Sequence, residues 1–237
     1  MEYKFIINGH EVKATYSNEF VDELLSLIEK WKNINSNERI IIFLAAAPGA
    51  GKSTIAHLIE YLSNGEIQAL GMDGFHHYQS YILSHTVNIN GIEVPMKNVK
   101  GCPESFDYDR LLSFIKKVKY ENIWWPFYNR VKHDVEDNHI YVNKKIVVIE
   151  GNYLLLNEKP WNELIHYCDE SIYIETDKGF VKNRLITRKI KGGYSLEEAT
   201  NFYENSDGRN VDRIIENRLN SDYIINFNGI EYKKVET

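Results

Sequence analysis

Five short stretches rich in apolar residues recur along the chain after position 39: Ile40 to Leu44, Ile67 to Met72, Ile146 to Ile149, Ser171 to Ile174 and Tyr223 to Phe227. They show little polar alternation, so they predict strands buried on both faces rather than half-exposed ones. Helical patterns lie between them, at Ser53 to Ser63, Asp107 to Tyr120, Gly179 to Lys191, Ser195 to Asn205 and Val211 to Leu219. Strands alternating with helices predict an α/β fold: a mainly parallel central sheet between two helical layers. At the N-terminus, Lys4 to Ile7 and Val12 to Tyr16 flank Asn8-Gly9, which predicts a small β-hairpin. Phe20, Val21, Leu24, Leu25, Leu27, Ile28 and Trp31 follow at helical spacing and predict a helix docked on the sheet. Residues 76–101 break the rhythm, with Asn90-Gly91, Pro95 and scattered apolar positions, and are expected to form a functional flap.

The first apolar run leads directly into Ala47-Pro48-Gly49-Ala50-Gly51-Lys52-Ser53-Thr54, and a helical pattern leads out. Strand, glycine-containing loop and helix in this order form the Walker A arrangement, although Ala46 stands where a first glycine is usual. Glycine without a Cβ lets backbone N–H groups approach a polyphosphate, and the positive end of the helix dipole faces it. Pro48 to Thr54 are therefore candidates for holding the phosphates of a nucleotide, with Lys52 reaching the outer ones and Ser53 ligating Mg²⁺.

Two acids fall at ends of predicted strands, Asp73 after Ile67 to Met72 and Glu150 after Ile146 to Ile149. In parallel α/β sheets the ligand crevice lies beyond the carboxyl ends of the strands, so both acids are expected on the edge that carries the phosphate loop. Asp73-Gly74 alone would read as a turn, but at this edge its carboxylate can orient or deprotonate an attacking hydroxyl. Glu150 follows four apolar residues, the Walker B pattern, and is a candidate Mg²⁺ residue together with Ser53 and Asp73. Arg184 and Arg188 share one helix face. Taken alone they are as readily a solvated surface; above a migrating phosphoryl group they supply mobile positive charge from a lid spanning 178–205. Gly192-Gly193 and a Ser195/Glu198 capping box give that segment a stop and a hinge. Pro126 to Asp134 is rich in hydrogen-bonding groups, and Tyr128, Arg130 and His133 are candidates for acceptor contact. Asp107 also fits an N-cap, and Trp124, Trp125 and Trp161 fit core or interface positions.

Composition narrows the classes. With 237 residues, 43% hydrophobic and 26% charged, the chain suits one elaborated globular domain. A net charge of -6 argues against a general nucleic-acid binder. Cys102 and Cys168 have no ligand-like spacing, and neither a signal-peptide pattern nor a run of ~18 apolar residues occurs, so no membrane partner and a cytoplasmic address are expected.

Taken together, the 47–54 loop, Met72-Asp73-Gly74-Phe75-His76, Lys100-Gly101-Cys102-Pro103-Glu104-Ser105-Phe106-Asp107, the 126–133 segment and Ile149-Glu150-Gly151-Asn152-Tyr153 resemble the phosphoribulokinase, uridine kinase and type I pantothenate kinase family of P-loop kinases. Lys100 to Asp107 resembles the pantothenate kinase version, and Tyr128 and His133 are spaced as in uridine kinases. The 150–156 signature, with Ser206-Asp207 and Asn210, is most similar to a uridine-kinase-like branch labelled nucleoside or fructose-transport kinases. The resemblance implies a P-loop NTPase three-layer α/β/α fold with a helical lid. It further implies ATP and Mg²⁺ as cofactors, Asp73 as base, Glu150 in the metal site, and Lys52, Arg184 and Arg188 at the transferred phosphate. His76, Asp107, Tyr128, Arg130, His133 and Asn152 become acceptor-binding candidates. The expected partner is a small-molecule hydroxyl acceptor, a nucleoside, a pantothenate-like compound or a sugar, with a homodimer left open. A nucleotide-dependent switch or ATPase without an acceptor is the alternative; it would share the Walker elements but would not need Asp73 or the 126–134 cluster.

Overall fold

The computed structural model describes residues 1–7, 10–89, 91–229 and 231–236, so the expected Asn8-Gly9 turn and Asn90 lie outside the described residues. A hairpin of β1 (Glu2–Ile7) and β2 (His10–Thr15) precedes α1 (Asn18–Lys32), which Ser17 caps by accepting the Phe20 N–H. Then come β3 (Ile40–Ala46), α2 (Lys52–Leu62), β4 (Ile67–Gly71), and α3 (Gln79–Ser84) with a second hairpin of β5 (Thr86–Ile89) and β6 (Ile92–Pro95). Next are α4 (Tyr108–Val118), an antiparallel ribbon of β7 (Ile123–Asn129) and β8 (Asp134–Val142), then β9 (Ile146–Gly151) and β10 (Glu170–Thr176). The chain continues through α5 (Lys178–Lys191), α6 (Leu196–Phe202), a π-helical turn at Tyr203–Asp207, α7 (Gly208–Glu216), β11 (Tyr223–Phe227) and β12 (Tyr232–Glu236).

The central sheet runs β12-β11-β10-β3-β9-β4, with only β12 antiparallel to its neighbour. Successive strand residues face opposite ways, and both faces are covered. Ile40, Ile42 and Leu44 pack into one core with Leu24, Trp31, Ile55 and Ile59 of α1 and α2. Ile41 and Phe43 pack into the other with Leu111 and Ile115 of α4 and Trp125 of β7. Neither face meets water, which is why these strands read as unbroken apolar runs.

Several elements differ from expectation. Residues 76–101 are not irregular: α3 and the β5–β6 hairpin occupy most of the segment. The 126–134 cluster is the turn end of the β7–β8 ribbon, and Pro126, which has no N–H to donate, sits where its register shifts between Trp125 and Phe127. Trp124 is half exposed, whereas Trp125 and Trp161 are buried. The expected helix at 195–205 ends at Phe202 and passes into the π-helical turn. Ser195 and Glu198 form the expected capping box.

A 3-10 turn at Met72–Phe75 carries the chain off β4, and Trp125 Nε1 donates to the Gly71 carbonyl at 2.9 Å to hold β7 against it. A Cβ on Gly74 would stand 2.9 Å from the Phe127 nitrogen and closer still to the Pro126 carbonyl. Backbone cannot yield as a flexible side chain does. Gly74→Ala is therefore expected to cost about 1–3 kcal/mol of stability in urea unfolding; an unchanged midpoint would show that the turn and ribbon are not in contact as described.

Candidate active site

Register decides what converges at the carboxyl edge of the sheet. Glu150, the penultimate residue of β9, stands opposite Leu44 of β3 on one side and Gly71 of β4 on the other. The loop after β3 and the turn after β4 consequently leave the sheet at the same level as Glu150. Gly51 ends the loop at φ 99°, a left-handed conformation suited to glycine, and no side chain caps α2. The N-terminal end of that helix dipole thus faces the cleft. Pro48, Gly49, Gly51, Lys52, Ser53 and Thr54 line this cleft together with Asp73, Glu150, Arg184 and Arg188. Ala50 belongs to the same loop, but its side chain is buried in the α1/α2 core.

Ser53 Oγ donates to Glu150 Oε1 at 2.7 Å, so a hydroxyl and a carboxylate already stand side by side. Burial pushes the Lys52 ammonium below its ordinary range, opposed by the charges of Glu150 and Asp73. Burial likewise raises the Glu150 carboxyl, with Lys52 opposing the rise. The charge of each group thus offsets part of what burial costs the other. Arg130 Nη2 lies 3.8 Å from Asp73 Oδ2. Burial and the neighbouring Arg130 both lower the Arg188 guanidinium from its ordinary value.

The wall beyond Asp73 is aromatic and polar. His76 stacks on Phe106 with ring centres 3.8 Å apart, and Tyr128 leans against it at 5.3 Å. Asn152 presents a buried Oδ1 that has no hydrogen-bond partner, an acceptor available to a ligand donor. His76, Tyr128, Arg130 and Asn152 all line the cleft. Two candidates do not. Asp107 is the N-cap of α4, its side chain accepting the Arg110 N–H at 3.0 Å, and it does not line the cleft. His133 sits exposed in the ribbon turn at φ 54°, outside the cleft lining, where its carbonyl accepts from Lys100. In return the fold brings in Lys100, Gly101, Phe106, Asp207 and Asn210. Each had a signal in the sequence, within the 100–107 and 206–210 stretches, but nothing there assigned it to the cleft.

The model of the phosphoribulokinase/uridine kinase family matches residues 41–231. This chain belongs to that family. The Escherichia coli K12 protein named "Uncharacterized protein YggC" is 36% identical over 234 residues, 95% of each chain. A Schizosaccharomyces pombe protein named "putative uridine kinase C227.14" is 26% identical over 204 residues, 81% of this chain and 85% of its own. Among solved structures, the "putative fructose transport system kinase" from Silicibacter sp. TM1040 superposes with a TM-score of 0.75 at 25% identity, covering 86% of this chain and 98% of that one. The chain is thus a P-loop kinase of the uridine, pantothenate and phosphoribulokinase type. Among the described residues no helix is long and apolar enough to cross a membrane.

In this family member His76 is only 8% exposed, and burial lowers its pKa to about 4 from 6.5. It is neutral at physiological pH, and protonation favours the unfolded chain, which binds the proton with its ordinary affinity. Stability from this group is thus present above pH 6.5 and lost as pH falls toward 4, a change of about 3 kcal/mol. In denaturant titrations across that range, His76→Asn is expected to flatten the pH dependence. Identical slopes for both proteins would show that His76 is not buried as a neutral ring.

Proposed function

We propose that the protein transfers the γ-phosphoryl group of ATP to a hydroxyl of a small metabolite. The observation that carries this proposal is the single cleft lined by the phosphate loop, Lys52, Asp73 and Glu150 and continuous with the polar wall at His76, Tyr128 and Asn152. In this proposal the loop amides and Lys52 hold the triphosphate, and Arg184 with Arg188 offset the charge on the moving group. Asp73 receives the hydroxyl proton as the new O–P bond forms and the bond to the β-phosphate oxygen breaks, releasing ADP. Arg130 keeps the Asp73 carboxylate beside a positive charge until the acceptor arrives.

Ser53 and Glu150 fit Mg²⁺, being adjacent hard oxygen donors at the helix end that would face the phosphates. When bound, Mg²⁺ supplies charge neutralisation and alignment of phosphate oxygens. The helices α5 and α6, with α3 and the β5–β6 hairpin, serve as the cover that keeps water from competing with the acceptor. A small alcohol, not nucleic acid, is the partner; nucleosides, pantothenate-like compounds and sugars are the classes to try.

Asp73→Asn is expected to lower kcat by about 10²–10⁴-fold while leaving ATP binding nearly intact. Lys52→Ala is expected to weaken both. Product analysis by ³¹P spectroscopy with ATP, Mg²⁺ and the three acceptor classes provides the readout. Full turnover in Asp73→Asn would remove it from the reaction, and phosphate released only to water would favour a nucleotide-dependent switch.

A further inference from the structure

Lys100 is a cation on the cleft wall whose contacts are all to neutral groups. Its Nζ donates to Gln79 Oε1 at 2.7 Å, to the Tyr128 hydroxyl at 2.8 Å and, more weakly, to the His133 carbonyl at 3.3 Å. It also lies 4.8 Å from the centre of the Tyr128 ring. The carboxylate that acts on it most, Asp134, is engaged elsewhere, its Oδ1 accepting the N–H groups of Gln79 and Val135, each at 2.8 Å. Arg213 is held by Glu158 and Glu104, and Lys119 by Asp169; Arg39, also without a carboxylate, lies away from the cleft and is bonded to the carbonyls of Lys144, Val118 and Glu121 and to Asn122 Oδ1. Burial lowers the Lys100 ammonium from its ordinary range. Holding an ammonium out of water without a carboxylate costs free energy, and three partners from three separate segments keep it there.

We infer that the acceptor is an alcohol that carries its own oxyanion, a carboxylate or phosphate, seated against Lys100 while its hydroxyl faces Asp73. This inference rests on the kinase proposal and narrows its substrate class. The geometry already supplies the contacts. Tyr128 accepts from Lys100, so its own O–H is left to donate, polarised by the charge behind it. The long bond to the His133 carbonyl is the one a ligand oxyanion replaces. Lys100 and Asp73 line the same cleft, and both act electrostatically on His76, which is buried beside Tyr128. The cations at the Asp73 end, Lys52, Arg130, Arg184 and Arg188, face the phosphates and the base in the kinase proposal, which leaves Lys100 as the charge on the acceptor wall for an anion of the acceptor. A neutral nucleoside or sugar would leave the ammonium without a counter-charge.

Matched pairs of alcohols test this directly: glycerol against glycerate and glycerol phosphate, pantothenol against pantothenate, and ribitol against ribonate, each with ATP and Mg²⁺. In at least one pair the anionic member is expected to have a kcat/KM at least about tenfold higher than its neutral twin, the value of one charge-assisted hydrogen bond. The carboxylate and phosphate arms identify which oxyanion is preferred. In Lys100→Met that ratio should collapse toward one, mainly through the KM of the anion, and Lys100→Arg should restore part of it. A neutral acceptor used as well as every anionic one, or a preference that survives in Lys100→Met, overturns the inference and leaves the kinase proposal standing. If no alcohol is phosphorylated, the kinase proposal fails. Calorimetry with the same pairs and a non-hydrolysable ATP analogue then decides the inference separately, which falls if no anion binds more tightly than its neutral twin.

Discussion

The parallel register of β3, β9 and β4 is the constraint on which the rest of the molecule depends. Glu150 lies level with Leu44 and Gly71, so the two chains leaving β3 and β4 emerge beside its carboxylate. A slip of one residue would turn Glu150 into a hydrophobic layer and Ile149 toward the cleft. The two cores make such a slip costly, because Val148 belongs to one and Val147 and Ile149 to the other. A tight approach reinforces it: a Cβ on Gly151 would stand only 2.6 Å from the Met72 side chain. The hydrophobic layers and the placement of charge are one problem solved once.

That placement is electrostatically expensive. Lys52 and Glu150 share a space removed from water with Asp73 beside them; burial disfavours the charged form of each, the two charges offset that cost for one another, and Asp73 favours the ammonium while opposing the Glu150 carboxylate. A cluster of this kind adds little to stability, and its value lies in preorganisation: charges fixed before a substrate arrives need no reorganisation when the reaction begins. The neutral His76 and the Tyr128 hydroxyl, raised by burial to about 12, extend this logic along the wall, offering hydrogen bonds without adding charge. Lys100 and Arg130 carry the charge on that wall, and of the two only Arg130 stands beside a carboxylate, that of Asp73.

How much of this was legible in the sequence follows from burial. Strands covered on both faces announce themselves as apolar runs, so β3, β9, β10 and β11 and the helices between them were readable, and with them the edge shared by Lys52, Asp73 and Glu150. The β7–β8 ribbon was not, because Pro126 interrupts it and its outer face is polar. Residues 79–95 hid their order because α3 has only six residues and β5 and β6 four each, too short for a period to show. Edge strand β12 carries Lys233 and Lys234, and reads as a polar tail. Asp107 fits both an N-cap and an acceptor contact in the sequence, and the fold shows the cap. The environment of Lys100 could not be read at all: its partners come from positions 79, 128 and 133, and only folding brings them together.

A crystal structure with Mg²⁺ and a non-hydrolysable ATP analogue tests the central claim most directly, namely that one cleft brings the triphosphate to the two acids and the ammonium. The terminal phosphate is expected within hydrogen-bonding reach of Lys52, with the Asp73 and Glu150 carboxylates on either side of it. A triphosphate bound away from that cleft, or a terminal phosphate from which Asp73 points away, would contradict it.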